Sequence, residues 1–322
     1  MKFIIQVDTV MKRRRGYHSV IVAIAALLFG SNLCSNAAGQ TPGTLPAKRI
    51  SLGTVSEKSH KEIKNHYRDF VRYVAQKLSS TSDVKGTIVI APTLLQLVEL
   101  IEQKKVDFYM ESPYPTYVLN TVHGAGKLLL RRWKGGKAGY RSLIFTKKNS
   151  EINRLEDLQG KIIVFEDPES SSGHFLPKFF LLKRGFKLSK KSGLEANVSP
   201  SEVGYIFAYS QVKLVDLVLT KQVAAGAFSN DDYKALDNKT RSEIGVLART
   251  TVFPRHLLSV RKDLAPEVVD RLREVLLSMH QNVEGQRILK KTGGTTKFDI
   301  LPGGEEGVRR RLLESFFSPE KR

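Results

Sequence analysis

The sequence predicts an α/β protein built as two similar lobes. Two observations carry this. Apolar segments of strand and helix period alternate down the chain, and part of that alternation occurs twice.

In chain order, "RISLGTV" (49–55) has the branched apolar content of a strand. "HKEIKNHYRDFVRYVAQKLSS" (60–80) places Ile63, Tyr67, Phe70, Val71, Val74 and Leu78 at helical spacing. "TIVIAP" (87–92) reads as a strand, "TLLQLVELIEQKK" (93–105) as a helix and "VDFYMES" (106–112) as a strand. The second half repeats the plan. "KIIVFE" (161–166) is a strand, "PKFFLLKRG" (177–185) a helix stopped by Gly185, and "VGYIFAY" (203–209) a strand or buried turn. "VKLVDLVLTKQ" (212–222) is then a helix and "VAAGAFS" (223–229) a strand. Alternation of this kind gives parallel or mixed sheets covered by helices.

Two internal echoes turn this into two lobes. "LVELIEQKKVDFYMES" (97–112) and "VDLVLTKQVAAGAFSN" (215–230) both run helix, polar turn, short apolar strand, serine. "FTKKNSEINRLEDLQG" (145–160) and "SVRKDLAPEVVDRLRE" (259–274) both run strand, basic pair, turn, amphipathic helix. The second echo predicts crossings between lobes near residues 140 and 250. The expected organisation is therefore a first lobe of residues 46–139 plus 251–322, interrupted by a second lobe of residues 140–250.

The chain has 322 residues, 41% of them hydrophobic and 26% charged, which suits a globular protein of about two domains and argues against disorder. Its front is different. A basic cluster, an apolar run from Val20 to Phe29 and the small residues Ser35, Ala37 and Ala38 read as a secretory signal over residues 1–37, cleaved near Ala37 or Ala38. An uncleaved anchor is the alternative, disfavoured because the apolar run is well short of the roughly 18 residues that span a bilayer. Met11, directly before the basic cluster, is the expected start. The single cysteine, Cys34, falls inside the signal in "SNLC", a poor lipid-attachment box, so the mature chain is expected to be free of lipid and of cysteine. That excludes a disulfide framework, a cysteine nucleophile and a cysteine-ligated metal.

The formal charge is +20; removing residues 1–37 takes away five basic residues and one acidic residue, four of those positive charges. For an exported protein the charge does not point to nucleic acid. It fits a surface that gathers a small anion by its summed field, or a solvated basic surface with no such role.

In open α/β sheets, ligands bind beyond the carboxyl ends of strands. Three segments stand there: "ESPYPTY" (111–117), "EDPESSSGH" (166–174) and "SNDDY" (229–233). All are rich in hydroxyl groups, and no catalytic constellation accompanies them. There is no G-x-S-x-G elbow, and a histidine next to a serine in sequence is not how triads are assembled. The seven histidines lack metal-ligand spacing. "HGAGK" has Thr121 where a phosphate loop needs its first glycine.

Pro177 has no N–H, so regular helix interior begins no earlier than about this residue. The free N–H groups of that first turn would make an anion site, to which Ser170, Ser171 and Ser172 add neutral donors. Gly173 would allow close approach to the backbone. One serine is expected simply to cap the helix.

Taken together, "DFYMESPYPTYVL", "GYRSLIFTKKNSEINRLEDLQGKIIVFEDPESSSGHFLPKFFLLKRG" and "VAAGAFSNDDY" resemble the phosphate/phosphite/phosphonate group of ABC-transporter substrate-binding proteins, over residues 48–300. The most specific piece is D-P-x-S-[ST]-S-G-x-x-x-P after a K-x-x-x-F strand, matched by Asp167, Pro168, Ser170, Ser171, Ser172, Gly173 and Pro177. The resemblance implies a type 2 periplasmic binding protein, with two lobes joined by two crossing strands that close on a ligand. It implies an oxyanion held by Ser170, Ser171, Ser172 and the Gly173 and His174 backbone. Ser112, Tyr114 and Thr116 would contribute from the opposite lobe, and Tyr205, Asn230 and Asp231 would line the distal end, where an amino-bearing phosphonate would want a carboxylate.

Tyr140 and Arg141 would sit at the first crossing, as hinge packing or ligand contacts. Core packing is the alternative for Tyr114 and Tyr205, and an ordinary helix cap the alternative for Asp231. Two departures from the family pattern stand out: Ala224 replaces an acidic residue, and "ESPYPTY" replaces a shorter glycine-proline turn. The function implied is a secreted, monomeric, non-enzymatic receptor that hands a small anion to a membrane permease. A sensor reporting to a membrane receptor, or an enzyme acting on a phosphorylated molecule, are the alternatives.

Overall fold

The computed structural model describes residues 49–56, 60–79, 84–300 and 302–317. The expected signal, Met11 and Cys34 lie outside the described residues. Within these bounds the strands are β1 (Arg49–Val55), β2 (Lys85–Ala91), β3 (Phe108–Glu111), β4 (Gly126–Lys134), β5 (Gly139–Tyr140), β6 (Ser142–Lys147) and β7 (Ile162–Phe165). They continue as β8 (Leu188–Lys190), β9 (Val203–Phe207), β10 (Ala225–Ser229), β11 (Ile244–Arg249), β12 (Phe253–Pro254), β13 (Leu257–Arg261) and β14 (Thr295–Asp299).

They form two six-stranded sheets, ordered β14-β4-β13-β3-β1-β2 and β11-β6-β10-β7-β9-β8, with β5 and β12 paired as a separate two-stranded crossing. Each sheet has a parallel part, β3-β1-β2 in one and β10-β7-β9-β8 in the other, flanked by antiparallel neighbours. The fold is α/β with two lobes, and the strand orders explain the first echo. β3 lies between β13 and β1, and β10 lies between β6 and β7, so the two echoed segments occupy equivalent places. Each follows a nine-residue helix, Leu94–Glu102 in one lobe and Gln211–Leu219 in the other.

The second echo holds for its strands only. β13 and β6 take equivalent places, and a 13-residue helix, Pro266–Ser278, follows β13. After β6 the expected amphipathic helix is one 3₁₀ turn, Leu155–Leu158, in which Leu158 alone is buried. Its amphipathic spacing is interrupted by Asn153, Arg154 and a chain reversal at Gly160 with φ +73°, and Asp157 accepts from the N–H groups of Asn153 and Arg154, closing the turn early.

Helical spacing on His60–Leu78 turns Tyr67, Phe70, Val71, Val74 and Leu78 inward, where they pack with Leu272, Val275 and Leu276 of Pro266–Ser278 and with Phe108 and Leu130 of the sheet. In the second lobe Phe145 and Phe228, from neighbouring strands, stack at 4.0 Å in the core beside Leu214 and Val218. A smaller apolar cluster joins the lobes. Tyr140 and Phe253 of the crossing strands pack there with Leu128 and Leu257 of lobe one and with Phe175 and Leu176 of lobe two.

Candidate oxyanion site between the lobes

The carboxyl ends of the parallel strands in both lobes face this junction. In lobe one, β2 leads to Thr93 and Leu94, and β3 leads to Ser112. "ESPYPTY" forms a short helix, Pro113–Tyr117, that runs into the π-turn Val118–Val122, because Pro113 at its start needs no N–H partner. In lobe two, β7 leads through Glu166 to a π-turn, Ser171–Phe175, and then to the helix Leu176–Lys183.

The serine run divides by direction. Ser170 caps its own helix: its Oγ accepts from Gly173 N at 3.0 Å and donates to Glu166 Oε2 at 2.8 Å. Ser171 crosses the junction instead. Its Oγ meets Ser112 Oγ at 2.8 Å and accepts from Tyr114 N at 2.9 Å. Two residues earlier, Glu169 Oε1 accepts from Leu94 N at 3.2 Å, again in the opposite lobe. Ser172 is held by its backbone, whose carbonyl accepts from Ser142 Oγ at 2.5 Å. Burial raises the nearby Tyr140 hydroxyl well above the ordinary tyrosine value, with Ser171 and Ser172 acting in the opposite direction. Tyr114 stacks on Phe175 at 4.0 Å, so its ring closes the junction beside the serines.

The other expected residues are placed differently. Gly173 is packed against its own lobe: a Cβ there would meet Glu166 Cβ at 2.6 Å, so its small size serves the turn. His174 turns its ring into lobe two, where Nδ1 pairs with Pro168 O at 3.0 Å and burial pulls the ring down to about 4, leaving it neutral. Thr116 is buried and donates back to Glu111 O and Ser112 O at 3.1 and 3.0 Å, tying the short helix.

Tyr205 is not brought into the group. Its ring packs with Phe165, His174 and Phe207, and its hydroxyl accepts from Lys178 Nζ at 3.0 Å. Asn230 holds the crossing, accepting from Arg141 N at 2.8 Å while its own N–H donates to Arg141 O at 2.9 Å. Asp231 is neither a helix cap nor open to a ligand ammonium. Ser229 and Asp232 form the capping box, and both Asp231 oxygens take Arg255 Nη1 and Nη2, the latter at 3.0 Å. Burial would raise this carboxyl, but the Arg255 hydrogen bonds and charge outweigh it and hold it below the ordinary aspartate value.

Arg255 was not singled out in the sequence, and neither was Glu169. For Arg255 the only signal was a cation in "TVFPRHLL" at the second expected crossing; for Glu169 it was the variable position inside the serine motif.

Glu111, at the end of β3, accepts from Val55 N at 3.0 Å and Thr54 Oγ1 at 3.2 Å. Burial pushes its carboxyl up to about 7, with the Glu169 charge adding to the rise. A folded-state value above the unfolded one gives stability that is present at low pH and lost as pH rises from about 4.5 through about 7. Glu111→Gln keeps an acceptor without the charge. It is expected to flatten the pH profile and to be more stable than the parent by about 2–3 kcal/mol above neutrality, measured by urea unfolding at about pH 5 and about pH 8. An unchanged slope would place the titration elsewhere.

A groove of about 800 Å³ opens at the other end of β7, lined by Lys147, Lys161, Lys221 and Gln222. Volume alone does not choose the candidate site; the serine junction is distinguished by groups from two lobes meeting at Ser171 Oγ.

Comparison with known proteins agrees with the fold and with the family resemblance. The chain is 26% identical over 269 residues to the phosphate-import protein PhnD of Mycolicibacterium smegmatis, covering 80% of this chain and 81% of the relative. It is 23% identical over 259 residues to the phosphonates-binding periplasmic protein of Escherichia coli, covering 76% of this chain and 70% of that protein. Among solved structures, XAC2383 from Xanthomonas citri with bound chloride superimposes with a TM-score of 0.77 at 25% identity, covering 85% of this chain and 98% of that one. Residues 52–301 match the family described as "ABC transporter, phosphonate, periplasmic substrate-binding protein", and the chain belongs to that family.

Proposed function

We propose that this protein captures a simple phosphate-like oxyanion (phosphate, phosphite or an alkylphosphonate) between its lobes in the periplasm and delivers it to an ABC permease. The observation that carries the reading is the convergence of Ser112 Oγ and Tyr114 N of lobe one on Ser171 Oγ of lobe two. These are neutral hydroxyl and amide groups from both lobes. An oxyanion entering there would take several charge-assisted hydrogen bonds at once and draw the lobes together. The positive charge of the chain, +20 in full, would raise the encounter rate with an anion.

The distal carboxylate expected for an amino-bearing ligand is engaged by Arg255, so the proposed class has no required ammonium group. In this reading residues 1–37 are a cleaved export signal, the mature protein acts as a monomer, and the serines bind without attacking. Transport is favoured over sensing by the transporter family to which the chain belongs.

The test is a thermal-shift series with phosphate, phosphite, methylphosphonate, 2-aminoethylphosphonate and sulfate. A ligand at 100 times its dissociation constant adds about 2.7 kcal/mol of stability, a readily measured shift. Stabilisation by at least one phosphorus oxyanion, without turnover of the ligand, is the expected result. No shift with any of them would overturn the proposal.

A further inference from the structure

The residue between the fixed Pro168 and the serines does more than fill the motif. Ser170 has extended backbone, φ −68° and ψ 124°, so Glu169 and Ser171 on either side of it project the same way while Ser170 turns back into its own lobe. Both projecting side chains land on lobe one: Ser171 on Ser112 and Tyr114, and Glu169 on Leu94 N.

Glu169 is held in that pose from behind, since its own N–H donates to Asp167 Oδ1 at 2.8 Å. The seat it takes is the first N–H of the helix Leu94–Glu102, where a negative group is favoured by the free N–H and the helix dipole. Its charge is felt by two groups of the opposite lobe. Besides burial, it contributes to raising the Glu111 carboxyl at the end of β3 and the Tyr114 hydroxyl.

We propose that Glu169 is a specificity-determining residue: its carboxylate clasps lobe one at Leu94 and sets the charge that the closed cleft accepts, disfavouring dianions relative to monoanions. This rests on the reading that the interlobe serines hold an oxyanion. One of the lobe-one N–H groups that face lobe two, Leu94 N, is already filled by a fixed negative charge that the ligand must share the cleft with. Repulsion grows with ligand charge, so removing that carboxylate changes affinity for a dianion about twice as much, in logarithm, as for a monoanion.

Two measurements test it. Glu169→Gln keeps the acceptor and loses the charge. Calorimetry with methylphosphonate, at a pH where it is dianionic, should then tighten by roughly 10-fold, and its monoanionic monomethyl ester by roughly 3-fold. Equal changes, or weaker binding of the dianion, would overturn the charge selection. Glu169→Ala removes the acceptor too. In ligand-free protein the Leu94 amide should then exchange with deuterium at least several-fold faster, while amides in the middle of Leu94–Glu102 keep their rates. Unchanged Leu94 exchange would overturn the clasp whatever the protein binds. If the exchange changes as expected but neither protein binds any of the oxyanions, the functional proposal fails and the charge selection falls with it.

Discussion

Asp231→Ala is expected to destabilise the folded protein by about 3 kcal/mol, because it leaves the Arg255 guanidinium without its carboxylate where only 6% of that side chain is exposed. Arg255 does not stand alone in the structure. Its Nε donates to Lys137 O at 2.9 Å, its backbone N–H donates to Ala138 O at 2.9 Å, and its guanidinium packs 5.8 Å from the Tyr140 ring centre. It therefore fastens both crossing strands to the helix that follows β10. A loss of that size lowers the melting temperature by about 4–5 °C in a protein of this length, at about 2.1 cal/mol/K of unfolding entropy per residue.

Replacing both partners with apolar residues, Asp231→Leu with Arg255→Met, should recover more than half of the loss, since neither charge is then stranded. A single variant within about 1 kcal/mol of the parent would show that the pair is screened as a surface pair is. The single variant should also lose stability at neutral pH without the acid sensitivity of the parent. Asp231 is held below its ordinary value in the folded state, so the stability it gives is present above the unfolded value and lost as pH falls through the folded one.

Ser171→Ala is expected to weaken oxyanion binding by roughly 10- to 150-fold, the equivalent of about 1.5–3 kcal/mol for one hydrogen bond to a charged group. The effect follows from position. Ser171 Oγ is the point where Ser112 Oγ and Tyr114 N of the opposite lobe arrive, so its removal takes away a ligand donor and a contact between the lobes together. Ser170→Ala is the control. Ser170 is the helix cap, and its loss should cost about 1 kcal/mol of stability with a much smaller change in affinity. Titration calorimetry with phosphate or methylphosphonate separates the two. Equal affinities in the parent and the Ser171 variant would remove Ser171 from the site.

These two residues mark where sequence reading succeeds and where it stops. The direction of Ser171 is local in origin: it follows from the extended backbone at Ser170 and from Pro177, which delays the regular helix, and both lie within the quoted motif. The presence of a cap among the serines was legible for the same reason. The amphipathic helix expected after β6 was not formed, because the spacing of apolar residues in "EINRLEDLQG" is outweighed by Asp157, which closes a single turn by accepting from Asn153 and Arg154. For Asp231 the family resemblance implies a ligand group, with a helix cap as the alternative; its actual partner, Arg255, lies 24 residues away and outside any local pattern.

By itself the sequence determined the alternation of strands and helices, the repetition of that plan in two lobes, and the placing of hydroxyl-rich segments after strand ends. Each depends on periodicity and on turn chemistry within a few residues, and such local preferences are written directly into the chain. Only the tertiary structure decided which of those hydroxyls meet. Ser112 and Ser171 are 59 residues apart, and Leu94 and Glu169 are 75 apart. Their contacts exist because the strand ends of two sheets are brought together beside the β5–β12 crossing. No local rule encodes the partner across such a junction, since it is fixed by the packing of Tyr140, Phe175 and Phe253 between the lobes.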